Sequence, residues 1–207
     1  MAASSVKRVV IGITGTNGAG KGAVVERLVK KYNFAHYSVR NYLLDFMKQQ
    51  GYADNDRNAM RSIANNLRDI HSPSYIVEQL LGQAMQIQKG AKNSISIIES
   101  IRVPKEAIAL KNKGRGQFFL LAVDADPRVR YQRIIQRKSE TDNVTYQEFL
   151  KQEESEMENF EEHKQNLKGC INMADQVIYN DGSFEKLNIE IDKFVDSINI
   201  WDNSANL

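Results

Sequence analysis

The most chemically specific stretch of this 207-residue sequence is a run of glycines around one lysine, Gly12 to Gly22, reading GITGTNGAGKG. Gly15, Gly18 and Gly20 permit positive-φ turns and close backbone approach, through which successive N–H groups converge on a phosphate oxygen. A strand-like run precedes them, and a helical pattern through Ala23, Val24, Leu28 and Val29 follows. That context predicts a helix that begins at the anion and adds its N-terminal dipole. Lys21 supplies a flexible positive charge for the β- and γ-phosphates of a nucleoside triphosphate. Gly15, Asn17, Gly18, Ala19, Gly20, Lys21, Gly22 and Ala23 are therefore the predicted triphosphate-binding residues. The general pattern continues from lysine to serine or threonine, whose hydroxyl reaches Mg²⁺. Here Gly22 and Ala23 follow instead, so the metal must rely on phosphate oxygens, water and a carboxylate elsewhere.

Glu99 is the best placed carboxylate. It closes the run Ser94 to Glu99 (SISIIE), and the C-terminal edge of a parallel sheet faces the ligand crevice. Its predicted role is to hold Mg²⁺ through water. Arg102 follows at i+3 and fits a phosphate clamp on the acceptor side. Arg130, Arg133 and Arg137 recur at i, i+3 and i+7 and so share one helix face. Phosphoryl transfer depends mainly on positioning and charge neutralisation, which guanidinium groups supply. His36, His71 and His163 stand alone, with no metal-ligand spacing, and no catalysis is assigned to them.

Strand candidates that could carry these groups are Val6 to Thr14, Phe34 to Ser38, Ser94 to Glu99, Phe118 to Asp124 and Gln176 to Asn180. Continuous apolar runs such as Phe118 to Val123 suit strands buried on both faces. Helical patterns lie between them, the signature of βαβ units in an α/β sheet. Asp126-Pro127 and Ser72-Pro73-Ser74 read as helix starts. A final helix carries Leu187, Ile191, Phe194, Ile198 and Trp201 on one stripe, expected to pack on the sheet. Lys138 to Met173 is rich in Glu, Lys, Gln and Asn, with apolar residues thinly spread. It reads either as a solvated helical hairpin or as a mobile lid over a charged ligand.

Composition is that of a globular protein: 42% hydrophobic, 26% charged and only 3 prolines, enough apolar material for one buried core. A net charge of +2 is too small to imply a nucleic-acid or membrane surface, and basic and aromatic residues form no stripe. The single cysteine, Cys170, excludes an intramolecular disulfide and has no basic cluster beside it to make it reactive. No stretch approaches the roughly 20 apolar residues needed to span a bilayer, and Met1 to Ser5 lead into no signal-like run. A cytoplasmic protein with no nucleic-acid and no membrane partner is expected. Nothing in the sequence bears on oligomeric state.

GTNGAGKG resembles the phosphate loop of adenylate kinase and related nucleoside monophosphate kinases, in which a glycine also follows the lysine. Threonine usually comes next in those enzymes, where Ala23 stands here. Thr14 to Lys21 is also similar to the loop of dephospho-CoA kinases. Ile97-Ile98-Glu99-Ser100-Ile101-Arg102 looks like the strand-end motif of these kinases, an acid followed at i+3 by arginine. Ala174 to Ser183 (ADQVIYNDGS) looks like the last strand and adenine-side loop of dephospho-CoA kinases. The whole chain is most similar to a dephospho-CoA-kinase-like branch of P-loop kinases. That resemblance implies one domain over residues 1–207: a five-stranded parallel sheet flanked by helices, an acceptor-binding segment near 38–92 and a lid near 138–173. It implies ATP as phosphate donor, Mg²⁺, and a small-molecule phosphate acceptor. It places Arg133 and Arg137 where family arginines stack on adenine and stabilise the transferring phosphate, and Asn180 and Gly182 beside the adenine.

The acceptor is less constrained. His36-Tyr37-Ser38 ends the second strand, and the arginine that adenylate kinases carry in the next helix aligns with Leu44. Ser38, Arg40, Arg61, Arg68 and Arg102 are the acceptor-side candidates. A sugar hydroxyl benefits from a carboxylate base, which dephospho-CoA kinases usually carry just after the second strand. Here Ser38-Val39-Arg40-Asn41 follows, with no acid before Asp45. A phosphate acceptor is already anionic, so a nucleoside monophosphate is favoured over dephospho-CoA. A non-catalytic ATP-binding module is the third alternative, motivated by Ala23. A GTPase switch is disfavoured by the absence of an Asn-Lys-x-Asp guanine signature.

Overall fold

Five parallel strands form a single sheet, and helices cover both of its faces. A computed structural model describes residues 7–52, 57–87, 93–114, 116–137 and 144–198. Met1 to Val6, Trp201 and the first six positions of the expected lid lie outside the described residues. The strands are β1 (Lys7–Gly15), β2 (Ala35–Ser38), β3 (Asn93–Glu99), β4 (Gln117–Asp124) and β5 (Gln176–Tyr179). The helices are α1 (Lys21–Tyr32), α2 (Val39–Gln49), α3 (Arg57–Ile70), α4 (Tyr75–Ile87), α5 (Pro104–Lys113), α6 (Pro127–Arg137), α7 (Tyr146–Met157), α8 (Leu167–Asn172) and α9 (Phe184–Ser197). Strand order is β2-β3-β1-β4-β5.

Alternation along each strand builds two cores, because successive side chains point to opposite faces. Val9, Ile11, Ile13, Ile97, Leu121 and Val123 pack beneath α1 and α9, which contribute Val24, Leu28, Leu187, Ile191 and Phe194. Val10, Ile98 and Leu120 face the other way, under α2 to α5 and α8. The strand ends are aligned by register: Ile13 pairs with Glu99, Gly15 with Val123 and Ser38 with Glu99. The C-terminal ends of β1, β3 and β4 thus form one rim, where ligands of open α/β sheets bind.

Helix ends follow local chemistry. Asp126 Oδ1 accepts from the Arg128 N–H at 2.8 Å, at the start of α6. Ser183 caps α9 and Thr145 caps α7, each accepting at the third helical N–H. Asn33 ends α1 with φ 56°, one of the few non-glycine residues that tolerate that conformation.

The stretch expected as a thinly packed lid is not uniform. Leu167 and Cys170, one turn apart on α8, are buried, and Cys170 belongs to the second core. The Asn166 N–H donates to the Arg102 carbonyl at 2.8 Å, and the Asn166 side chain accepts from Gly169 N at 2.7 Å. The C-terminal part of that stretch is therefore packed body. Among the described residues α7 keeps the charged character read from composition, although Phe149 and Glu156 on it are buried. No described helix is long and apolar enough to cross a membrane.

Candidate active site

The loop between β1 and α1 is fixed from beneath. Gly15, Gly18 and Gly20 have φ of 127°, 79° and 101°. A Cβ on Gly15 would lie 1.9 Å from the Val123 carbonyl oxygen, so any side chain there would break the β1–β4 ladder. Thr14 Oγ1 donates to the Ile101 carbonyl at 2.8 Å, and Thr16 Oγ1 donates to Asp124 Oδ1 at 2.6 Å. Asn180 Nδ2 holds the Ala19 carbonyl at 2.8 Å, and Arg130 Nη1 reaches the Asn17 carbonyl at 3.4 Å. Lys21 Nζ donates to the Gly15 and Thr16 carbonyls at 2.8 and 2.6 Å. With these carbonyls engaged, the peptide planes are set, and α1 begins at the cleft, which its first three residues, Lys21, Gly22 and Ala23, line.

That cleft has a volume of about 760 Å³, toward the upper end of small-molecule sites. Of the predicted phosphate-binding residues, Asn17, Gly18, Gly20, Lys21, Gly22 and Ala23 line it, while Gly15 and Ala19 are buried below. Glu99, Arg102, Arg133, Arg137 and Gly182 line it too, as do Arg40, Arg61 and Arg68 on the acceptor side. Arg130, Arg133 and Arg137 were expected on one face of α6, with the donor side assigned to Arg133 and Arg137. Arg130 instead turns inward: Nε donates to the Ala125 carbonyl at 2.7 Å, and Nη1 pairs with Glu153.

Three residues differ from expectation in what they touch. Asn180 does not line the cleft, because the β4–β5 register brings it under the loop, where its buried amide supports Ala19. Ser38 also lies off the cleft lining: it donates to Glu99 Oε1 at 2.9 Å and accepts from Asn41 N, capping α2. Its part is to aim Glu99. Arg68 borders the cleft but is 1% exposed, and its charge is met by Glu106 at 2.8 Å. Sequence reasoning missed Glu106, Glu156, Asp124 and Thr16. Glu156 is buried between Arg102 at 3.1 Å and Arg61 at 3.8 Å.

Glu99 is held ionised. Burial pushes its pKa up, but hydrogen bonds from His36 and Ser38, with the charges of His36 and Lys21, outweigh burial and bring it below the ordinary carboxylate value. Among the described residues no three His, Cys, Asp or Glu side chains gather as a metal cluster. The donor set does fit Mg²⁺ delivered on phosphate oxygens, since that ion typically takes one or two carboxylates and keeps several waters. Glu99, anionic on the rim beside Lys21, is the carboxylate that would hold such an ion.

A parallel 2-3-1-4-5 sheet with a glycine-rich loop joining its central strand to a helix, and a cleft over that loop, defines a P-loop NTPase domain. The chain belongs to the AAA domain family, whose model matches residues 11–164. It is 29% identical over 175 residues to a UPF0200 protein of Methanococcus maripaludis, covering 84% of this chain and 89% of the relative. It is 28% identical over 192 residues to a UPF0200 protein of Methanococcus vannielii, with 92% of each covered. In fold it is similar to TT1252 from Thermus thermophilus, with a TM-score of 0.59 at 17% identity, over 93% of this chain and 98% of the other. A chain from Chloroflexus aurantiacus designated a candidate kinase superposes with a TM-score of 0.53 at 15% identity, over 94% and 97%.

Proposed function

We propose that this protein is a Mg²⁺-dependent phosphotransferase that moves the γ-phosphate of ATP to a small anionic acceptor of the nucleoside monophosphate kind. The observation that carries this reading is the shared cleft. The phosphate loop forms one wall and arginines from α2, α3 and the β3–α5 turn form the other, and among the described residues both walls line a single continuous cleft. A nucleotide hydrolase needs no second wall of guanidinium groups, whereas a transferase must hold two phosphates close together.

The chain's own groups divide the work as follows. The loop and the start of α1 cradle the β- and γ-phosphates. Lys21 exchanges its two carbonyl contacts for phosphate oxygens and neutralises charge on the transferring group. Arg133 and Arg137 reach the same phosphates from α6, and Arg102 holds the acceptor. Mg²⁺, when bound, spreads the charge of the β- and γ-phosphates, and Glu99, aimed by Ser38 and His36, orients its water shell. Gly182 and its neighbours close the base side. The fixed loop and charged walls supply preorganised electrostatics, the dominant contribution in this chemistry.

A phosphate acceptor suits the site better than a sugar hydroxyl. The hydroxyl at the end of β2, Ser38, is committed to Glu99, and no acid replaces the missing base in that turn. A coupled assay of ADP release across AMP, CMP, UMP, GMP, the deoxynucleotides and dephospho-CoA tests the proposal. Turnover with a nucleoside monophosphate is the expected result. Turnover with dephospho-CoA alone would replace the acceptor. Silence with every acceptor, despite tight ATP binding, would replace the enzyme with a nucleotide-sensing module.

A further inference from the structure

Helix α7 places Phe149, Glu153 and Glu156 at i, i+4 and i+7, on one face. Phe149 is buried beside Tyr131 and Tyr146, under the guanidinium of Arg130 at 5.5 Å from the ring centroid. Glu153 pairs with the same arginine, which also holds the phosphate loop at Asn17. One turn on, Glu156 reaches the opposite wall. Its side chain is 4% exposed, with Oε2 3.1 Å from Arg102 Nη1 and Oε1 3.8 Å from Arg61 Nη1. Gln165 Oε1 stands 3.5 Å from the same Arg102 nitrogen. Both arginines and Glu156 line the cleft.

A carboxylate in this place is not explained by packing. Burying a charge costs more than burying an apolar side chain of similar size, and α7 is already anchored through Phe149 and Glu153. What the carboxylate matches is the fork of a guanidinium, which binds carboxylate and phosphate with the same geometry. A phosphate bound to Arg102 would also meet Glu156 as a like charge. The two anions therefore compete for one set of donors.

Building on the acceptor wall assigned under Proposed function, we propose that Glu156 is a resident carboxylate in the acceptor's anion subsite, displaced from Arg102 and Arg61 when a phosphate-bearing acceptor binds. Glu156 thereby sets the anion affinity of that wall. Displacing it also loosens the last turn of α7, while Glu153, one turn earlier, keeps the helix on the donor wall.

Inorganic phosphate is the probe, titrated by calorimetry into the full chain carrying Lys21→Ala, which weakens the competing phosphate site at the loop. Adding Glu156→Gln in that background is expected to tighten phosphate binding about tenfold or more, because the like charge beside the bound anion is removed. Glu156→Asp keeps the charge and is expected to leave the affinity unchanged. Adding Arg102→Gln to the Glu156→Gln chain is expected to abolish the gain. Unchanged or weaker binding in Glu156→Gln, with circular dichroism showing a folded chain, overturns the proposal, because a carboxylate that merely orders the arginines gives that result. A gain that survives Arg102→Gln overturns it as well. The comparison requires no turnover, so a positive result alongside silence in the acceptor assay removes the kinase reading and leaves the anion subsite standing.

Discussion

Glu106 is the perturbation from which the structure gives the largest effect on stability. Its carboxylate is 0% exposed, accepts hydrogen bonds from Arg68 Nε at 2.9 Å, Arg102 N at 2.8 Å and Val103 N at 3.1 Å, and pairs with Arg68 Nη2 at 2.8 Å. Glu106→Ala leaves a guanidinium that is 1% exposed without its counter-ion, and two backbone N–H groups at the turn after β3 without an acceptor. Removing one partner of a buried pair costs about 3–5 kcal/mol, and each orphaned N–H adds to that at about 1 kcal/mol or more. Against a total stability of roughly 5–15 kcal/mol, the single substitution brings the chain close to unfolding. Replacing both partners with apolar side chains of similar size, Arg68→Met with Glu106→Leu, removes the stranded charge and is expected to recover most of the loss. Urea unfolding followed by circular dichroism, on the natural chain, the two single variants and the double variant, gives the coupling between the sites. A loss below about 1 kcal/mol for Glu106→Ala, or a double variant as unstable as the two single losses added together, would refute the reasoning.

Lys21→Ala is expected to lower turnover by about a hundredfold or more while leaving stability within about 0.5 kcal/mol, since the lysine's contacts to Gly15 and Thr16 stay within its own loop; equal activity contradicts its role. Asp192 accepts from Arg27, Lys31 and Tyr32, and its hydrogen bond with Arg27 above all holds its pKa well below the ordinary carboxylate value against the effect of burial. A depressed folded-state pKa gives stability that is present above the unfolded value of about 3.9 and lost as pH falls toward the folded one. Asp192→Asn should therefore cost about 1 kcal/mol near neutral pH and flatten the acid limb of the unfolding midpoint; an unchanged limb contradicts this. Burial, with the nearby charge of Glu106, pushes the Cys170 thiol up to about 12, so a disulfide reagent near neutral pH should leave the folded chain untouched and react once denaturant is added. Fast labelling of the folded chain would show that α8 opens.

The strands were legible because a parallel sheet buried on both faces leaves continuous apolar runs, and Phe118 to Val123 is such a run. The phosphate loop was legible because its function demands glycine at fixed positions. Sheet order was not, since pairing β1 with both β3 and β4 is decided by contacts far apart in the chain. The supporting groups were hidden for the same reason. Glu106 meets an arginine 38 positions away and Glu156 one 54 away, and a Glu-rich helix reads as solvated whichever acid is buried. The available sign was Phe149, the buried aromatic of α7, whose helix face passes through Glu153 and Glu156. Arg130 misled because spacing puts residues on a shared face without saying how deep each one lies. Ser38 sits one residue before the cleft-lining Val39 and Asn180 two before the cleft-lining Gly182, inside the uncertainty of any strand end.

Thr14 and Thr16 flank Gly15 and bind in opposite directions, one to the turn after β3 and the other to the end of β4. Each is buried, and each hydrogen bond crosses to a different neighbour of the central strand. The seat of the phosphates is in this way riveted to the ladder on both sides and inherits the stiffness of the whole sheet. Any motion that accompanies a catalytic cycle must then be made by the helices around that anvil. Amide exchange at Gly15 and Thr16 should proceed only through global unfolding, while α7 exchanges through far smaller openings.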